Sequence, residues 1–152
     1  MRPVADRWYF AYGSNMSIDQ KERRTGKIRE SCPAVLKNHR LVFNKDDGKG
    51  SAYANIEQRT GSEVWGVIYL CNLGAFKELD RFEGVTAGHY VQEEVEVVTD
   101  KDEKVLAVAY VAGKNFVCPE RQPRADYLEI ILTGAYEHKL PSDYIKELSK
   151  LR

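Results

Sequence analysis

The sequence predicts an α+β fold. Alternating apolar runs mark many strands, spacings of three and four residues mark a few helices, and the two mix without regular βαβ alternation. No internal repeat, low-complexity tract or linker interrupts them, so one domain is expected over residues 1–152.

The run Tyr9-Phe10-Ala11-Tyr12 is apolar and aromatic, reads as a short buried strand, and stops at the Gly13-Ser14-Asn15 corner before Met16. Asp19 to Arg24 is polar and helix-compatible, with Ser17 or Asp19 able to cap it. A strand, a glycine turn and a helix start in succession aim several backbone N–H groups at one spot. Such a nest suits an anion or a polarised carbonyl oxygen, and it equally suits an ordinary turn.

Ala34 to Asn44 predicts a strand that breaks at Asp46-Asp47-Gly48. Ser51 to Ile56 is a short strand. A turn at Arg59-Thr60-Gly61-Ser62 then leads into Val64 to Leu70, whose unbroken apolar character places it in mid-sheet. Gly66 inside that strand signals a bulge or a close approach by another group. From Asn72, a good N-cap, Leu73, Phe76 and Leu79 share one helical face until Gly84 stops the helix. His89 to Val98 is expected as a strand with Val91, Val95 and Val97 on one side and Gln92, Glu94 and Glu96 on the wet side. Asp100-Lys101-Asp102 turns it back into Val105 to Ala112. Beyond the Pro119 to Pro123 loop, Arg124 to His138 carries Tyr127, Ile131 and Ala135 at four-residue spacing. Leu140-Pro141-Ser142 then starts a last helix through Tyr144, Ile145 and Leu148.

Composition excludes several classes. Across 152 residues, Lys+Arg and Asp+Glu both number 23, for a formal net charge of +0. That balance gives no electrostatic reason to bind nucleic acid or an acidic membrane. The basic stretch Arg23, Arg24, Lys27, Arg29 is interrupted by glutamates and reads as a solvated face. Without a signal-peptide h-region or a membrane-length apolar run, a soluble, cytoplasmic protein is expected. Cys32, Cys71 and Cys118 lie far apart and form no CxxC pair, so each reads as a small apolar residue in or near the core. His39, His89 and His138 also stand alone. With no HExxH, Walker A or Rossmann fingerprint, neither a metal nor a cofactor is expected.

Glu83 is the carboxylate of interest. It sits at the carbonyl end of the helix from Asn72, where partial negative charge disfavours an anion, and Phe82 and Val85 can strip water from it. Both effects raise a carboxylate pKa toward the range a general base near neutrality requires. The same position also fits an exposed Glu paired with Arg81. Gly84 and Gly88 bracket a tight turn that suits simple geometry or a ligand against backbone. Tyr127 offers a hydroxyl to a substrate, or is a core aromatic with its tip at the surface. Ser14 lacks the glycine two positions on that a nucleophile elbow needs.

Taken as an ordered set, four segments resemble the γ-glutamyl cyclotransferase family: Tyr9 to Met16, Glu63 to Tyr69, Leu79 to Val85 with Gly88 and Tyr90, and Tyr127 with Gly134-Ala135 and Leu140-Pro141. The resemblance covers nearly the whole chain. It implies a small mixed β-barrel flanked by helices, Glu83 as acid/base, and a glutamyl pocket lined by Tyr12, Gly13, Ser14, Asn15, Met16 and Tyr127. The implied partner is a small γ-glutamyl substrate, with a homodimer allowed by analogy only. The spelling Tyr-Gly-Ser-Asn-Met is similar to the branch acting on γ-glutamyl amino acids. A γ-glutamylamine, a γ-glutamyl-protected intermediate, or a binding module without turnover are the alternatives.

Overall fold

In the computed structural model, residues 6–152 are described; residues 1–5, the start of the domain expected over 1–152, lie outside them. The aromatic run is the strand β1 (Arg7–Ala11), buried from Tyr9 onward because it has neighbours on both edges. It pairs antiparallel with β3 (Ala52–Cys71) and parallel with β5 (Lys104–Ala112). With β2 (Ser31–Asp46) and β4 (Tyr90–Thr99) the order β1-β3-β2-β4-β5 closes a mixed barrel. Closure gives every strand two neighbours over at least part of its length, which shortens the open edges of strands this apolar. The helices α1 (Ile18–Thr25), α2 (Leu73–Phe82), α3 (Ala125–Glu137) and α4 (Ser142–Ser149) flank it. Phe10, Met16, Ile68, Tyr69, Leu79, Leu128, Ile131 and Leu132 are fully buried, so barrel and helices share one apolar core.

The starts of α1 and α2 follow the expected capping chemistry, whereas α3 and α4 begin without a side-chain cap. Ser17, not Asp19, caps α1: its hydroxyl accepts from the Gln20 N–H at 3.3 Å, while Asp19 pairs with Arg23. Asn72 accepts from the Ala75 N–H at 2.8 Å at the start of α2. Gly84 ends that segment with φ +61°. Cys71 is buried, and Cys32 and Cys118 are half-buried.

Two expectations are corrected. Arg59 to Ser62 does not reverse the chain. Residues 52–71 form one strand, and Arg59–Ser62 is an excursion opposite Asn38, between the Lys37↔Glu63 and His39↔Gln58 pairs. Gly61 takes φ +86° there and donates its N–H to the Asn38 side chain, so the turn residues make a bulge that bends a long hairpin. The second correction concerns β4. Its Glu face is exposed as expected, but Val91 is 43% exposed, and only Val97 of the three valines is fully buried. β4 meets β2 only at Ala34↔Thr99 and Val35↔Val98, so its first half has β5 as its one strand neighbour and loses cover there.

Gly66 is a close approach. A Cβ there would lie 2.3 Å from the Ala11 carbonyl oxygen and 2.9 Å from the Phe10 ring. Gly66→Ala must therefore push β1 away from β3. It should destabilise the fold by about 1–3 kcal/mol, the usual range for overpacking a core. Thermal unfolding should show a fall of several degrees, and an unchanged midpoint contradicts the packing described.

Candidate active site

The end of β1 and the end of α2 face each other across a cavity of about 460 Å³. Tyr12, Gly13, Ser14 and Asn15 line one wall, and Glu83, Gly84 and His89 another. Tyr53, Tyr90, Tyr110 and Tyr127 supply apolar body and hydroxyl tips, a mixture typical of small-molecule sites.

The loop after β1 is held from behind. Ser14–Met16 forms a 3₁₀ turn closed by Met16 N–H to Gly13 C=O at 3.1 Å and Ser17 N–H to Ser14 C=O at 3.0 Å. Asn15 is 3% exposed and fully engaged: its amide donates to the Tyr9 hydroxyl, and its oxygen accepts from Gln20 and Arg24, each at 3.1 Å. Gln20 also donates to Ser14 Oγ at 2.6 Å. The Tyr69 hydroxyl reaches the Asn15 and Met16 carbonyls at 2.9 and 3.1 Å. On the far side α3 presses in so closely that a Cβ on Gly134 would lie 2.4 Å from the Met16 carbonyl carbon. Among the described residues, no acceptor takes the N–H groups of Gly13, Ser14 or Asn15. These three N–H groups belong to residues that line the cavity and are uncommitted within the protein.

Met16 does not join the cavity wall. Its side chain is fully buried beneath the loop, against α3, so it anchors the turn from below. Tyr12 lines the cavity, but its hydroxyl donates to the Tyr110 carbonyl and so ties β1 to β5. The Tyr127 hydroxyl accepts from the Ala54 N–H at 3.0 Å, and a Cβ on Gly13 would lie 3.4 Å from it. Among the described residues, no acceptor takes its own O–H proton.

Glu83 caps α2, donating its N–H to Leu79 C=O at 2.8 Å, and its side chain enters the cavity. The Arg81 pairing is overturned: Arg81 pairs with Glu78 at 2.8 Å and covers the Phe82 ring. No described group donates a hydrogen bond to the Glu83 carboxylate. Burial pushes its pKa up from 4.5 to about 7, against the opposing pull of Arg24 and Lys45. Its charge raises Tyr9, Tyr12, Tyr90 and Tyr127 further above values already lifted by burial, so these phenols stay protonated.

The model of the AIG2-like family matches residues 63–148. A γ-glutamylcyclotransferase of Homo sapiens is 34% identical over 148 residues, covering 94% of this chain and 77% of the relative. The chain belongs to the γ-glutamyl cyclotransferase family. A solved γ-glutamyl cyclotransferase superposes with a TM-score of 0.89 at 32% identity, covering 97% of this chain and 88% of the other. A yeast cyclotransferase described as specific to glutathione shares the fold alone, at 12% identity and TM-score 0.69, covering 97% of this chain and 96% of the other.

Two cations in this cavity are unexpected from the sequence. The basic stretch that contains Arg24 is expected to be a solvated face. Arg24 is instead half-buried, bonded to Asn15, with its guanidinium 4.8 Å from the Phe82 ring centre. Lys45 is 4% exposed, and His89 does not stand alone, because Lys45 Nζ lies 2.8 Å from its Nδ1. A lone Arg in a charged run and a Lys before a turn carry no sequence signal of this kind.

The raised Glu83 pKa has a stability consequence. A carboxyl held above its unfolded value favours the folded state while protonated, and that contribution is lost as pH rises from 4.5 through about 7. Glu83→Gln removes the ionisation. It should melt above the parent protein at pH 8, by up to roughly 3 kcal/mol, and match it near pH 4. Melts at both pH values check this, and a variant destabilised at pH 8 contradicts it.

Proposed function

We propose that the protein is a γ-glutamyl cyclotransferase acting on γ-glutamyl amino acids or dipeptides, with residues 1–152 as its single catalytic unit. The observation that carries this reading is Glu83, a desolvated carboxyl with a pKa near 7 opposite an uncommitted N–H nest. The family assignment supports the reaction class.

The substrate brings its own nucleophile. Its α-ammonium gives one proton to Glu83, and the freed amine attacks the γ-carbonyl carbon, closing a five-membered ring. Glu83 returns that proton to the departing nitrogen as the γ C–N bond breaks. The second proton leaves the ring nitrogen for the released amine through solvent. The products are 5-oxoproline and the free amino acid. A group whose pKa matches the working pH serves both transfers.

The nest of Gly13, Ser14 and Asn15 holds an anionic group of the substrate, either the developing oxyanion or the α-carboxylate. Tyr12 and Tyr127 shape the pocket that folds the glutamyl chain so that amine and carbonyl meet, which is an orientation advantage. Met16 belongs to this machinery only by holding the loop in place. The chemistry of this reading calls for no cofactor and no metal. No described helix is long and apolar enough to cross a membrane. The balanced charge supports a small-molecule substrate rather than nucleic acid, and a cytoplasmic location is part of the proposal.

Glu83→Gln should lower 5-oxoproline release by about a hundredfold or more, as loss of a general base does. Unchanged turnover removes Glu83 from the mechanism. In the parent protein, activity should fall on the acid side as Glu83 gains its proton, with an apparent pKa near 7. A flat profile from pH 8 down to pH 5 contradicts the role given to this carboxyl.

A further inference from the structure

Lys45 is a buried cation without a carboxylate. β2 and β3 pair Phe43↔Ala54 and then Lys45↔Tyr53, leaving Asn44 as an extra residue. The bulge breaks the in–out alternation, so Val42, Phe43, Asn44 and Lys45 are all buried in succession. It directs Lys45 toward the cavity, where the ammonium lies 5.7 Å from the Tyr53 and Tyr90 ring centres and 5.0 Å from that of Phe116.

Two protein groups occupy part of its bonding capacity. The ammonium donates to the Asp46 carbonyl at 3.0 Å and to His89 Nδ1 at 2.8 Å. Accepting at Nδ1 requires a neutral imidazole, so Nε2 carries the ring proton. Burial and the neighbouring ammonium both lower the His89 pKa, in agreement. The His89 ring is stacked 3.9 Å from Phe116, and a Cβ on Gly84 would lie 2.9 Å from its Cδ2. The Lys45–His89 pair therefore abuts the turn that carries Glu83.

The nearby acids are engaged elsewhere. Asp46 pairs with Arg121 at 3.2 Å. Asp47 accepts from the Lys49 and Ser51 N–H groups at 2.8 and 3.0 Å. Asp126 accepts from the Tyr127 N–H and faces Arg124 at 3.5 Å. Glu83 feels Lys45 but makes no ion pair with it. A desolvated ammonium left with an open N–H in a cavity is a receptor for an external anion.

The cavity has two such cations. Arg24 lies on the side of the Gly13–Asn15 nest, bonded to Asn15, and Lys45 lies at the β2–β3 end, with the Glu83 carboxyl influenced by both. A γ-glutamyl amino acid carries two carboxylates and one ammonium, the charge complement of two cations and one carboxylate. On the cyclotransferase reading, the glutamyl head belongs with the nest and Arg24. We infer that Lys45, oriented by His89, binds the free carboxylate of the departing amino acid and so selects γ-glutamyl amino acids over γ-glutamylamines and amides.

Calorimetry on the Glu83→Gln protein, which lacks the proton carrier, tests this without turnover. The ligands are γ-glutamylalanine and its C-terminal amide. The free acid should bind about tenfold tighter or more, as charge-assisted hydrogen bonds imply. Adding Lys45→Met should erase the preference, and adding Lys45→Arg should keep it. Equal affinities in the parent, absence of binding, or a preference that survives Lys45→Met overturns the inference. Equal weakening of both ligands by Lys45→Met also overturns it, because Lys45 would then hold the glutamyl α-carboxylate. If Lys45→Met does not fold, the acid-against-amide comparison in the parent still decides. Failure of the wild-type protein to release 5-oxoproline from γ-glutamylalanine would remove the cyclotransferase reading alone, since the binding preference is read without catalysis.

Discussion

The Glu83 carboxyl sits where a helix already presents its carbonyl oxygens, and no described group donates a hydrogen bond to it. Ionising it there is unfavourable because burial strips it of solvent, and its charge in turn helps keep the surrounding buried phenols protonated. Arg24 and Lys45 act in the opposite sense and keep the carboxyl from being permanently protonated. The balance leaves a group that changes charge near pH 7, which neither a fully solvated nor an ion-paired Glu would do. The remaining architecture maintains that balance: the barrel supplies the apolar wall, and the bulge in β2 supplies one of the opposing cations.

Across the cavity, the loop after β1 is rigid by a different means. Its side chains spend their hydrogen bonds on one another, with Asn15 tied to Tyr9, Gln20 and Arg24, while Tyr69 and α3 hold its underside. The N–H groups of Gly13, Ser14 and Asn15 are the part left over. A fully satisfied polar network of this kind fixes one geometry, and fixed donors need no reorganisation when charge develops. Two buried walls, one with a tunable charge and one with fixed dipoles, thus face a single space.

Much of this is legible in the sequence because it is local. Asn72 and Gly84 bound α2 by capping chemistry, which places Glu83 at its end, and Gly66 marks a contact that only a missing side chain permits. What resisted reading is set by pairing across strands. Gly61 has the composition of a turn, yet Asn38 opposite it converts the segment into a bulge within one strand. The inward rotation of Lys45 depends on which residues of β3 it meets, and the capture of Arg24 depends on an Asn nine positions away. A sequence pattern in one segment does not encode the register of another.

The barrel closes through a parallel seam between β1 and β5, at Trp8↔Ala107 and Tyr9↔Val108, and the Tyr12–Tyr110 tether beside it joins positions 98 residues apart. The strand that begins the pocket therefore has no second neighbour until the strand near residue 108 has been synthesised. On a translating ribosome β1 must wait for most of the chain, and ring closure over so long a separation is entropically slow. A nascent chain truncated before β5 therefore leaves one edge of the aromatic β1 unpaired and open to aggregation.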